Sequence, residues 1–226
     1  AYDQIIHDVA LQNLNVIFCL DRAGIVGEDG ATHHGVFDIS YLRLIPNLIL
    51  FSPMNEEELR NIMFTAQLGL KQPLAIRYPK GRGTKVDWQS PFKKLVIGKG
   101  EQLSFGNKIA VLTIGTIGNV ILEIEKELPE NTIAHFNMRF VKPLDKTLLH
   151  EVFKQFDKII TIEDGTIVGG FGSAILEFVS ENNYLHKTTK RLGIPDNFIE
   201  HGKVEELYKI VGIDNESILK EIKTML

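Results

Sequence analysis

Short apolar runs alternate with stretches of helical period along the whole chain, and this alternation most limits what it can fold into. The runs fall at 16–20 (Val-Ile-Phe-Cys-Leu), 47–51 (Asn-Leu-Ile-Leu-Phe) and 73–77 (Pro-Leu-Ala-Ile-Arg), then again at 108–114, 132–136, 158–162 and 188–192. Each is as long as a strand and too short for a helix. Between them the apolar residues return every three or four positions, as with Ile5, Ile6, Val9 and Ala10, or Leu59, Ile62, Met63 and Ala66. Strand, helix, strand, helix, strand is the layout of a parallel α/β sheet, with right-handed crossovers and loops gathered at one edge. Helices are expected at 2–11, 39–44, 56–68, 115–127, 143–156, 169–181, 204–211 and 215–225. Asn55 is the expected N-cap of the third, and Glu56, Glu57 and Glu58 suit the positive end of that helix.

The pattern dissolves over 83–94, a polar stretch with Pro91 and the only tryptophan, Trp88. A linker there divides the 226 residues into units of 1–92 and 93–226, each a three-layer α/β domain with a parallel or mixed sheet. A net charge of −4 gives no electrostatic footprint for nucleic acid. No run of eighteen apolar residues suggests a membrane span. The one cysteine, Cys19, sits inside the first apolar run and reads as a small buried hydrophobe. One cysteine allows no disulfide within the chain, which fits a reducing, cytoplasmic setting. The chain opens on Ala1-Tyr2-Asp3-Gln4, already in helical pattern without a cap, as expected of part of a longer polypeptide.

Chemistry concentrates in residues 21–38, D-R-A-G-I-V-G-E-D-G-A-T-H-H-G-V-F-D, directly after the first apolar run. Loops leaving the carboxyl ends of parallel strands are where such sheets place their sites. Four glycines permit positive φ, the histidines bring proton transfer near neutral pH, and Arg22 supplies a fixed cation. Lys80 follows the third run, so it and Arg22 are placed to reach the same sheet edge and grip a phosphate. The alternative is a pair of unrelated surface charges. Glu28-Asp29-Gly30 with Asn55 imitates a Gly-Asp-Gly…Asn magnesium motif, but Glu28 stands where the first glycine belongs. Gly169-Gly170-Phe171-Gly172-Ser173 opens a helix and suits either an anion cradle or close helix–sheet packing. His7 and His135 lie in regular elements; His150 and His186 have no partner in sequence. His201, in a loop, is the one further histidine kept as a candidate.

The run A-Y-D-Q-I-I-H-D-V-A-L-Q, the block at 21–38 with I-S-Y-L-R after it, and I-R-Y-P-K-G closely resemble the 1-deoxy-D-xylulose 5-phosphate synthase family of the transketolase superfamily. M-R-F-V-K-P-L-D, E-D-G-T-I-V-G-G-F-G-S and G-I-P-D-N-F-I-E-H-G continue the resemblance over essentially the whole chain. It implies a truncated pyrimidine-binding domain followed by a transketolase C-terminal domain, in a cytoplasmic homodimer. It further implies condensation of pyruvate with glyceraldehyde 3-phosphate on thiamine diphosphate and Mg²⁺. Arg22 and Lys80 then match substrate phosphate ligands, the lysine replacing an arginine common in the family. Asp29 and His33 match the polar pair facing the reacting centre, a histidine oriented by a carboxylate. The main cofactor and metal residues match nothing in this chain, so the 226 residues alone are expected to be inactive. A transketolase, a 2-oxoacid dehydrogenase β-type subunit and a non-catalytic assembly subunit are the alternatives.

Overall fold

The computed structural model describes residues 1–83 and 90–226, so Trp88 and half of the expected linker lie outside the described residues. Helix α1 begins with Tyr2–Gln4 and continues through Ile5–Ala10 as a π-helix, the Leu11 N–H donating to the Ile6 carbonyl. Then come β1 (Ile17–Leu20), α2 (Asp38–Leu42), β2 (Ile49–Phe51), α3 (Glu56–Gln67) and β3 (Leu74–Arg77). The second half runs β4 (Glu101–Gln102), β5 (Ile109–Ile114), α4 (Gly118–Glu125), β6 (Ile133–Asn137), β7 (Phe140–Lys142) and α5 (Lys146–Gln155). It closes with β8 (Lys158–Thr166), α6 (Phe171–Glu181), β9 (Thr188–Ile194), α7 (Val204–Val211) and α8 (Asn215–Met225). Asn55 caps α3 as expected, its side-chain oxygen accepting the Glu58 N–H at 3.0 Å.

Two mixed sheets result, ordered β1-β3-β2-β7 and β4-β6-β5-β8-β9. All pairs are parallel except β2 with β7 and β4 with β6. The two sheets share a core. Leu50 and Ala75 of the first pack in one apolar cluster with Ala110, Leu112 and Phe136 of the second. A second cluster gathers α4, α7 and α8 on the far side of the second sheet, and a third seats α3 on the first. Strand β7 has no counterpart in the sequence reading, which passes straight from a strand at 132–136 to a helix at 143. Three residues carry no periodicity; they become a strand because β2 offers them a free edge. No helix among the described residues is long and apolar enough to cross a membrane.

One expectation about the core fails. Cys19 is exposed rather than buried. Strand β1 is an edge strand, paired to β3 alone, and Cys19 is its one exposed residue. The apolar run records strand propensity and says nothing of whether both faces are covered.

His135 shows what full burial does to a titratable group. It lies on β6 with no exposed surface, its Nε2 sharing a 2.8 Å hydrogen bond with the Thr113 hydroxyl. Burial lowers its pKa to about 4. The ring is therefore neutral, and the Glu125 carboxylate 3.9 Å from Nδ1 is a neighbour rather than an ion partner. Unfolding lets the ring charge at its ordinary pKa of about 6.5. The neutral form's contribution is thus complete above that pH and is lost as pH falls from there toward 4. The shift corresponds to about 3 kcal/mol. Urea unfolding at pH 7.5 and pH 4.5 is expected to show this loss, and His135→Gln to remove that part of the pH dependence.

Candidate active site

Leu20 at the end of β1 is in register with Arg77 at the end of β3, so the chain leaves both strands at one sheet edge. The segment after β1 returns on itself. Gly24 and Gly35 exchange N–H···O hydrogen bonds of 2.8 and 2.9 Å, and the Ala23 N–H donates to the Tyr78 carbonyl at 2.9 Å. Glycine is required at both pinch points: a Cβ at Gly35 would lie 2.1 Å from the Arg22 carbonyl oxygen, and one at Gly24 only 1.8 Å from Asp164 Oδ2. Inside the loop a short 3₁₀ turn at Gly27–Asp29 leads to Gly30, whose carbonyl accepts the His33 N–H at 3.0 Å.

The two adjacent histidines separate in role. His34 is buried; its Nδ1 accepts the Val26 N–H at 3.1 Å, so Nε2 carries the proton and faces the Glu200 carbonyl at 3.4 Å. It holds the loop together. His33 is exposed, its Nδ1 3.0 Å from the Thr32 hydroxyl, which leaves Nε2 with no hydrogen bond among the described residues.

Three basic side chains gather around Asp29. Lys80 Nζ bonds to its Oδ2 at 2.6 Å. That hydrogen bond, aided by the charges of Lys80, His33 and Arg22, holds the Asp29 carboxyl below its usual range. The structure thus brings the four sequence-predicted residues into one electrostatic group, with different pairings from those expected. Asp29 bonds to Lys80 rather than to His33, and it meets the imidazole through charge alone. Arg22 pairs with its neighbour Asp21 and leaves its Nε buried without a hydrogen-bond partner among the described residues. The expected convergence of two free cations is modified accordingly, since each already has a carboxylate.

Beneath the loop lies a layer that the sequence reading missed. Arg77, 2% exposed, sends Nε to both oxygens of Asp38 at 2.9 and 2.8 Å. Its Nη2 reaches the Gly35 carbonyl at 3.1 Å and the Asp164 carbonyl at 2.8 Å. Burial opposes the cation, yet the carboxylates of Asp38, Asp164 and Glu163 outweigh it and raise the guanidinium pKa above its ordinary value. Asp164 in turn accepts the Ile25 N–H at 3.3 Å and the Tyr208 hydroxyl at 2.8 Å. Burial pushes both the Asp164 carboxyl and the Tyr208 phenol upward. The available signal was a charged residue closing an apolar run, at Arg77 and at Glu163-Asp164.

The glycine-rich turn at 169–173 is not an open anion cradle. Glu163 fills it, accepting the Phe171 N–H at 2.7 Å and the Gly172 N–H at 2.8 Å. Burial raises the Glu163 pKa to about 7, against the pull of those two N–H groups and of Arg77 and Arg191. Packing accounts for the glycine beside it, because a Cβ at Gly170 would come within 2.2 Å of that carboxylate. Of the remaining histidines, His150 bonds to the Tyr184 hydroxyl at 3.0 Å, and exposed His201 packs its Cβ against Gly30 at the rim of the loop.

Comparison with known proteins matches the chain twice to transketolase domains: the pyrimidine binding domain over residues 1–85 and the C-terminal domain over 98–218. A 1-deoxy-D-xylulose-5-phosphate synthase of Bacteroides fragilis is 57% identical over 98% of this chain. One from Cytophaga hutchinsonii is 54% identical over all of it. The chain spans 35% and 36% of the length of these two relatives. Among solved structures, a split-gene transketolase described as an inactive β4 tetramer superposes with a TM-score of 0.84 at 25% identity, over all of this chain and 71% of that one. A Campylobacter jejuni transketolase gives a TM-score of 0.70 at 20% identity, over 95% of this chain and 32% of that one. The residues present do not fit the metal–diphosphate end of the thiamine diphosphate that the resemblance in sequence leads one to expect. Among the described residues no group of three or more His, Cys, Asp or Glu side chains could hold a metal ion, and Asn55 is committed to capping α3.

Proposed function

This chain belongs to the transketolase family, and from that premise we propose that it forms the C-terminal part of a 1-deoxy-D-xylulose 5-phosphate synthase. The complete enzyme joins pyruvate to glyceraldehyde 3-phosphate with loss of CO₂, using thiamine diphosphate and Mg²⁺ held largely by polypeptide outside this chain. Its product is a precursor for isoprenoids, thiamine and pyridoxal phosphate, and the enzyme works as a cytoplasmic homodimer. The observation that carries this reading is the whole-chain likeness to the synthases, 57% identity over 98% of the chain.

Each residue has a physical task in that reaction. Arg22 and Lys80 bind the acceptor's phosphate, the arginine through its planar fork and the lysine as a point charge. Lys80 exchanges its bond to Asp29 for the phosphate when substrate enters. The aldehyde oxygen becomes a hydroxyl as the carbon–carbon bond forms, and His33 Nε2 delivers that proton. Asp29, held ionised by its basic neighbours, places a negative charge beside the imidazole.

Assay of the full-length protein with pyruvate and glyceraldehyde 3-phosphate tests the reading. Turnover with ribose 5-phosphate or a lipoamide acceptor in their place would favour the transketolase or 2-oxoacid dehydrogenase alternatives. The 226-residue chain by itself is expected to be inactive and to show no micromolar binding of thiamine diphosphate by calorimetry. A Kd of about 1 μM, equivalent to roughly −8 kcal/mol, would place the cofactor's main ligands inside this chain and contradict the reading.

A further inference from the structure

The loop carrying Arg22, Asp29 and His33 is held from the other half of the chain. Asp164, near the end of β8 and 3% exposed, takes the Ile25 N–H on Oδ1 at 3.3 Å and the Tyr208 hydroxyl on Oδ2 at 2.8 Å. Its carbonyl anchors Arg77 at 2.8 Å, and Gly24 is reduced to a hydrogen so that the carboxylate fits against the turn. Close by, the Thr166 N–H donates to the Val36 carbonyl at 2.8 Å. Arg22 itself stands at φ +61°, a left-handed conformation that a long side chain keeps only where its surroundings fix it. The two residues that follow it are fixed by the Ala23–Tyr78 hydrogen bond and then by the Gly24–Gly35 pair, which rests on Asp164.

We infer that Asp164, braced by the Tyr208 hydroxyl, is a positioning residue that aims Arg22 at the phosphate of the acceptor substrate. It acts through the backbone of the turn, being buried away from any substrate. The identity of the acceptor rests on the synthase reading above; the clamp itself does not. His33 is set by its own turn onto Gly30, so loosening the clamp disturbs the phosphate end of the site more than the carbonyl end. Strand β8 and α7 thereby give the C-terminal unit a part in substrate selection without contributing a group to the reaction.

The test uses Tyr208→Phe, Asp164→Ala and Asp164→Asn in the full-length enzyme. Tyr208→Phe and Asp164→Ala are expected to raise KM for glyceraldehyde 3-phosphate about tenfold, the effect of one lost hydrogen bond to a charged group. KM for pyruvate, and kcat/KM for the unphosphorylated acceptor D-glyceraldehyde, stay within about twofold. Asp164→Asn keeps an acceptor for Ile25 and an amide for the tyrosine oxygen, so it stays close to the unaltered enzyme. Hydrogen–deuterium exchange over residues 22–35 reads the clamp without turnover, and both disruptive variants are expected to speed the Ile25 amide. Equal rises in both KM values with a matching fall in kcat/KM for D-glyceraldehyde, no rise in KM for glyceraldehyde 3-phosphate, or unchanged exchange overturns the inference. If the unaltered enzyme is inert toward this substrate pair, the synthase reading falls instead. Calorimetry with inorganic phosphate then decides the inference, with binding weakened by Tyr208→Phe supporting it and unchanged binding overturning it.

Discussion

His33→Ala in the full-length enzyme is expected to lower kcat by roughly 10² to 10⁴-fold, the range that a positioned acid or base contributes. The geometry makes this a loss of chemistry rather than of structure. His33 is exposed, its side chain is tied among the described residues only to the adjacent Thr32 hydroxyl, and its backbone N–H bond to Gly30 survives the substitution. The melting temperature should therefore stay close to that of the unaltered enzyme while turnover collapses. His34→Ala should behave in the opposite way, because its ring bridges the Val26 N–H and the Glu200 carbonyl inside the loop. A scaffold subunit with transketolase-like halves would lose no rate with His33→Ala, so steady-state kinetics on this variant separates an enzyme from an assembly subunit. The pH profile adds a second reading. Asp29 is held below the usual carboxylate range by its basic neighbours and stays ionised near neutrality. Because His33 acts as the acid in this step, the alkaline limb of kcat in the parent enzyme should vanish in any residual activity of the variant.

Elements whose cause is local were legible in the residues. Helix α3 was placed by Asn55 and three following glutamates, because capping is settled within four residues. The crowding of glycine, aspartate, arginine and histidine after β1 pointed to the site, because loops at strand ends are where this architecture exposes its backbone. What could not be read depends on partners distant in sequence. The exposure of Cys19 turns on whether another strand lies beside β1. Lys80 and Asp29 are 51 positions apart, so nothing in either segment announces that they bond to each other rather than to a ligand. The glycines at 169–173 look like an anion cradle until Glu163 is seen folded back onto the start of α6. Strands β4 and β7, two and three residues long, are shorter than the period that reveals a strand.

Arg77 is the extreme case and gives the largest expected effect on stability. A charge that closes an apolar run ordinarily reads as the point where a strand reaches solvent. Here three acceptors supplied by Asp38, Gly35 and Asp164 enclose it. Arg77→Met keeps the length and apolar stem but strands the Asp38 carboxylate, 4% exposed, with only the Ile39 N–H at 2.8 Å as an evident donor. Removing one partner of a buried ion pair costs about 3–5 kcal/mol, because the remaining charge has neither water nor a counter-ion. Urea unfolding should show a loss of that order, with the midpoint lowered and the slope unchanged. Lys in place of Arg should recover little, since an ammonium cannot span a carboxylate and two carbonyls at once. Arg77→Met with Asp38→Leu should recover part of the loss, as expected when both charges are removed together. The coupling between the two substitutions separates a paired charge from simple loss of packing, for which the two effects would add. Activity should fall with stability in the single variant, because the same guanidinium holds the Gly35 carbonyl that closes the loop carrying His33.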